Sequence, residues 1–313
     1  MLGKTAGGLY WMFRYLERAA NTARLIEAGF RIALTRSSDP ESEWRSVIVT
    51  SASQAGYEEK HNVYDSARVS DYLLRDPDNP SSVLSVIKIA RDNARLTRTA
   101  LTTEVWSAVN ETWMVLTKLL KNPIPETELP AVLSAIRHQS SLVRGALHGS
   151  MLRNDIYDFC RLGTFLERMD NTARIIDVKY YSLLPATSYI GSRMDNVQWE
   201  MILRSVSAHS SFRWANEGDY NASNIASFLI LDRRLPRSLS YCSSQIVENL
   251  CYLSEDYGDR SDSLTKAEQL EARIKGRDIN SIFDEGLHEF LGSVIADLGG
   301  IGAQIEQDYR FNR

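Results

Sequence analysis

The sequence predicts an all-α fold, an elongated helical bundle built from two similar halves related by a pseudo-two-fold axis. Three observations carry that expectation. Only 8 prolines and 17 glycines punctuate 313 residues, too few breakers for a chain of short elements. Apolar residues recur at helical spacing, and no segment sustains the period-two alternation of a half-buried strand. The third observation is that a stretch near the N-terminus returns in mid-chain.

The returning stretch is Leu16-Glu17-Arg18 followed by Asn21-Thr22-Ala23-Arg24, repeated as Leu166-Glu167-Arg168 followed by Asn171-Thr172-Ala173-Arg174, an offset of 150. Two weaker echoes follow in the same order. Trp44 to Tyr57 matches Trp199 to Phe212, and Tyr72 through Pro80, Ser82 and Val83 matches Phe228 through Pro236, Ser238 and Leu239, at offsets of 155 and 156. Collinear matches with a slowly drifting offset are the trace of a duplicated unit with small insertions. The expectation is one domain over residues 1–313, with repeat units of about 1–152 and 153–313.

Each element has a local reason. The motif helix is expected over residues 6–34 and ends in the Ser, Asp and Pro of a loop at 35–41. A second helix carries Trp44, and a third, over 64–75, stops at Asp76-Pro77-Asp78. Asn79 as N-cap with Pro80 in the first helical position predicts a fourth helix to about residue 99. Thr103 or a neighbour caps a fifth through Trp106, Trp113 and Leu120, and after a proline-rich break at 122–130 a sixth runs over 131–152. The second half repeats the motif, tryptophan and proline helices, with loops near 184–196, 215–221 and 255–263, and closes with a helix over 281–309.

Composition narrows the function classes. A net charge of -4 with no dominant Lys or Arg run argues against a broad nucleic-acid footprint or a polybasic membrane anchor. The start of the chain lacks the apolar core of a secretory signal, and no stretch of eighteen apolar residues appears, so a soluble cytoplasmic protein is expected. Cys160, Cys242 and Cys251 form no CxxC and read as packed, reduced thiols. The five histidines include no HExxH and no i,i+4 pair, so neither a metal nor another cofactor is expected. Gly3-Lys4-Thr5 resembles the end of a phosphate loop but lacks the upstream glycine and strand. Arg91, Arg95 and Arg98 read as a solvated helix face, and Trp106 and Trp113, one heptad apart, as core or interface anchors.

At about 100° per residue the motif helix carries two stripes. Leu16, Ala19, Ala23 and Ile26 are apolar, and Arg18 falls inside their arc with Thr22 beside it, whereas Glu17, Asn21 and Arg24 form a separate polar stripe. Glu167, Arg168, Asn171, Thr172 and Arg174 repeat the pattern. An arginine on an apolar face requires a carboxylate, a carbonyl or a bound anion. One reading makes the motif internal glue, with Glu17 meeting Arg168 and Glu167 meeting Arg18. The other makes the ten residues line a polar cleft able to hold a carboxylate or phosphate and to do amide or peptide chemistry. A third reading is a partner-docking surface.

The doubled Leu-Glu-Arg-x-x-Asn-Thr-Ala-Arg motif, with the helix starts at Asp76-x-x-Asn79-Pro80-x-Ser82 and Asp232-x-x-x-Pro236-Arg237-Ser238, resembles the bacterial alpha-E family over essentially the whole chain. The resemblance implies an all-helical domain whose Glu-Arg motif falls on Glu17-Arg18 and Glu167-Arg168, with no established activity. It also implies association, since such proteins are encoded beside or fused to circularly permuted ATP-grasp proteins and near transglutaminase-like peptidases. The expectation is therefore a noncatalytic or ligand-binding component of an ATP-grasp-type peptide or amide ligase system.

Overall fold

Helix succeeds helix throughout a computed structural model of the chain, which describes residues 1–35, 40–182, 193–216 and 220–312. Among the described residues there are fifteen α-helices, one short 3-10 turn and no strand. None of these helices is long and apolar enough to cross a membrane. The chain divides into two compact units, one of Met1–Thr164 with Arg310–Arg313 and one of Phe165–Tyr309.

The first unit is organised around α1 (Gly3–Thr35). Residues 19–26 of α1 are buried without interruption, so nearly every side of the helix is enclosed and its polar residues cannot turn to water. α2 (Pro40–Thr50) packs on it, and a Cβ at Gly29 would lie 2.4 Å from Val47 Cγ2, which is why the contact needs glycine. After α2 the chain turns through Ala52, whose φ of 54° is left-handed, into the short α3 (Gln54–Glu58). There Tyr57 is fully buried, donates to the Val63 carbonyl at 2.7 Å, and meets Tyr72 of α4 (Ser66–Leu74) edge-on at 5.2 Å. α5 (Val83–Leu96) and α7 (Leu129–Ser150) pack on α1, with α6 (Thr103–Leu119) joining them. α8 (Asp155–Ser182) begins in this unit, and the division between units falls inside it.

The second unit contains α9 (Arg193–Ser205), α10 (His209–Ala215) and α11 (Ala222–Leu231), followed by α12 (Leu239–Tyr257), α13 (Asp262–Lys275), α14 (Ile279–Glu285) and α15 (Leu287–Asp308). Ser207, with φ of 58°, turns the chain between α9 and α10, and Phe212 meets Phe228 edge-on at 5.4 Å. α12 packs on α11 and α13, and α13 on α15. The start of α13 is tied to the end of α15 where the Ser263 amide donates to Asp308 Oδ2 at 2.8 Å, and Arg273 pairs with Asp297 at 2.6 Å.

Several boundaries differ from the sequence expectation for identifiable reasons. The fourth helix does not start at Asn79-Pro80. Asn79 Oδ1 instead accepts from the Ser81 amide and its side-chain amide donates to the Tyr72 carbonyl, forming a turn, while Ser82 caps α5 by accepting from the Ser85 amide. Pro80 therefore belongs to the turn that precedes the cap. Ser238 caps α12 in the same way. Thr102, the neighbour of Thr103, caps α6. The expected closing helix is broken at Gly286, whose φ of 106° stops α14 before α15 begins. α9 starts inside the expected 184–196 loop, of which residues 184–192 lie outside the described residues, as do 36–39 and 217–219 of the other two loops.

Trp106 and Trp113 are half-buried rather than core, each covered by an arginine of the preceding segment, Arg98 at 5.3 Å and Arg91 at 5.7 Å from the ring centres. The expected solvated face is in part a lid over these two rings. The thiols of Cys160 and Cys242 are buried and that of Cys251 is half-buried.

A close approach between α8 and α1 can be tested. A Cβ built on Gly163 of α8 would lie 2.1 Å from the Tyr10 carbonyl oxygen of α1, a backbone atom that cannot swing aside. Gly163→Ala is expected to destabilise the protein by roughly 1–3 kcal/mol, as overpacking does. The measurement is the urea midpoint, and an unchanged midpoint would contradict so close a contact.

Candidate functional site

The Glu-Arg motif of the first unit sits in the enclosed part of α1, and its two members face different surroundings. Glu17 has 1% exposure, and its Oε2 accepts from Arg144 Nη1 of α7 at 3.0 Å. Farther along α1, Glu27 pairs with Arg137 of α7. Between these pairs the Ser140 hydroxyl donates to the Leu16 carbonyl at 3.2 Å. Arg24 donates to Asn21 Oδ1 at 3.1 Å, and both are buried, as is Thr22. The polar stripe of α1 therefore faces α7 in an antiparallel seam, with early α1 against late α7.

Arg18 differs from expectation. It is half-buried rather than fully buried, and its guanidinium lies 5.5 Å from the centre of the Tyr15 ring. The neighbouring turn is similar, with Arg14 at 4.9 Å from Trp11, and the two rings stack at 5.4 Å. Arg18 lies on the arc of α1 that carries these aromatic faces, and a π-face accepts a guanidinium without burying it.

The second copy lies in the second unit. Glu167 and Arg168 are both buried, and Arg168 Nη1 donates to the Pro236 carbonyl at 3.2 Å with its guanidinium 5.2 Å from Phe165. That carbonyl belongs to the turn preceding the Ser238 cap of α12, so Arg168 fixes a helix start. Asn171 is half-buried. Thr172 is fully buried, and its hydroxyl finds no hydrogen-bond partner among the described residues. Arg174 makes a two-point pair with Asp170 one turn away, at 2.8 and 3.1 Å. At the end of the motif Asp177 accepts from His288 Nδ1 of α15 at 2.5 Å.

Of the ten expected site residues, five belong to the first unit and five to the second. Arg137, Ser140 and Arg144, which join the first five on the α7 side, were missed. Their signal was available, because spacings of three, four and seven on one helix make a polar stripe complementary to that of α1.

These observations define a class, an all-helical protein whose enclosed helix carries a Glu-Arg pair and whose carboxylate is paired inside the unit. The chain belongs to the Alpha-E family, described as a predicted alpha-helical domain with a conserved ER motif, whose model matches residues 1–309. No curated protein and no solved structure matches it.

Arg144→Met strands the Glu17 carboxylate in the interior and is expected to cost about 3–5 kcal/mol in chemical denaturation. The double variant with Glu17→Gln should recover part of that loss, and a double loss equal to the sum of the two single losses would show that the two groups are not coupled.

The His288–Asp177 pair sets a pH dependence. The Asp177 hydrogen bond, then its charge, raises the imidazole above its ordinary value. A raised folded value means the stabilising contribution is complete below about pH 6.5, the unfolded value, and is lost as pH rises through the folded one. Denaturation midpoints measured from mildly acidic to mildly alkaline pH should fall more for the parent than for His288→Gln. Parallel profiles would remove the pair from the account.

Proposed function

We propose that this chain is a noncatalytic or ligand-binding helical component of a cytoplasmic ATP-grasp-type peptide or amide ligase system, and that it is internally duplicated, each half carrying one Glu-Arg helix. The commitment of Glu17 carries the first part. A carboxylate with 1% exposure and an arginine on its oxygen serves the packing of α1 on α7 before any chemistry. The partner comes from the resemblance, which associates such proteins with circularly permuted ATP-grasp proteins and, secondarily, with transglutaminase-like peptidases.

Matched local devices support the duplication. Ala52 and Ser207 turn with positive φ at an offset of 155, and the edge-on pairs Tyr57–Tyr72 and Phe212–Phe228 fall at offsets of 155 and 156. Ser82 and Ser238 cap equivalent helices. Asp76 and Asp232 each accept from the amide two residues on, at 2.8 and 2.7 Å. Even the charge at the motif's end is answered in both, Glu27 by Arg137 and Asp177 by His288.

The test is copurification with the ATP-grasp protein encoded beside this chain, followed by ATP turnover of that protein with and without it. Association and a severalfold change in turnover are expected. If the two neither bind nor alter each other's activity under any nucleotide condition, the reading fails.

A further inference from the structure

The first unit has an open cleft of about 460 Å³ between the first turns of α1, the exposed face of α5 and the C-terminal Phe311-Asn312. That volume is within the range of sites for small organic ligands. Gly7 and Gly8 line the cleft. A Cβ at Gly8 would lie 2.6 Å from Thr97 Cγ2 and one at Gly7 2.9 Å from Phe311 Cγ, so both glycines also hold α1 close to its neighbours. One wall is the stacked Trp11–Tyr15 pair, and Leu96, 82% exposed, forms the opposite apolar edge.

The charge around this cleft has one sign. Lys4 lines it, and among the described residues that line it none is acidic. Lys4, Gly8, Trp11, Tyr15 and Arg18 fall on one 80° arc of α1 at helical spacing, so the aromatic wall has a cation beyond each end. α1 itself has no acidic residue in its first turn. A second cleft of the same unit, about 420 Å³ beside Trp44 and Phe30, has the opposite character, with Glu41, Asp65 and Glu126 on its lining.

We infer that the cleft at the start of α1 binds a small organic anion with a flat ring, the ring against Trp11 and Tyr15 and the anionic group toward Lys4. Aromatic carboxylates and nucleoside monophosphates share that chemistry. The inference does not depend on the ligase partner, because every residue that lines the cleft belongs to this chain.

Isothermal titration of the full chain with 2-naphthoate, its neutral analogue 2-naphthamide, and adenosine monophosphate tests it. At least one of the two anions should bind with a Kd of about 1 mM or below. Naphthoate binding assigns the site to aromatic acids, and binding of adenosine monophosphate alone assigns it to nucleotides. Where naphthoate is the anion bound, naphthamide should bind more weakly. Lys4→Glu should weaken the bound anion about fivefold or more without lowering the melting temperature. Leu96→Glu should do the same, while Glu126→Lys in the second cleft should change nothing. Absence of binding by both anions, or equal affinity in the parent and Lys4→Glu, would overturn the assignment.

Discussion

A carboxylate enclosed on all sides has to be answered by a cation, and the first unit is arranged around that requirement. Glu17 lies on α1 where the helix is surrounded, and the Arg144 guanidinium of α7 reaches it. The second rung, Glu27 with Arg137, is ten residues farther along α1 and seven back along α7. At 1.5 Å per residue these intervals are about 15 and 10 Å, a mismatch the length of two arginine side chains absorbs. Two rungs with a serine between them define one antiparallel register. A slip by one residue would turn both carboxylates away from their partners into apolar packing.

In the second unit the motif arginines tie down local structure. Arg168 donates a hydrogen bond to the Pro236 carbonyl at the start of α12, and Arg174 turns back to Asp170 on its own helix. What the copies share is placement on a long helix, and the neighbouring helices supply the partners. α7 offers arginines where α15 offers His288, so one rung is permanently charged and the other titrates.

Much of this fold was legible in the sequence, for reasons that lie in local chemistry. Scarce breakers and helical spacing are properties of short windows, and the doubled motif requires only a comparison of the chain with itself. The misplaced start of α5 shows where local reasoning stops. Asn79-Pro80 satisfies the rule for a cap followed by a first helical residue, yet Ser82 satisfies it too, and Asn79 is taken by the Tyr72 carbonyl seven residues back. Glu17's partner was harder to find because Arg144 is 127 residues away. The burial of Arg18 was overestimated because an apolar arc was equated with an interior. Trp11 and Tyr15 are apolar in any hydropathy count, but their faces accept cations and line an open cleft.

Adjacent residues on a helix point about 100° apart, and this separates the functions of the motif's two letters. Glu17 points to the seam with α7, where its charge holds two helices in register. Arg18 is half-buried on the arc of Trp11 and Tyr15, its guanidinium 5.5 Å from the Tyr15 ring, and those two rings line a cleft open to solvent. The glutamate is therefore bound to the stability of the unit, and the arginine to whatever the aromatic stripe meets. Whereas Glu167 and Arg168 are both buried, the first copy sets a buried charge beside a half-buried one of opposite sign, one residue apart. That arrangement links the packing of the helix to the electrostatics of the cleft, because rotation of α1 that disturbs the Glu17 pair also moves the Arg18 guanidinium.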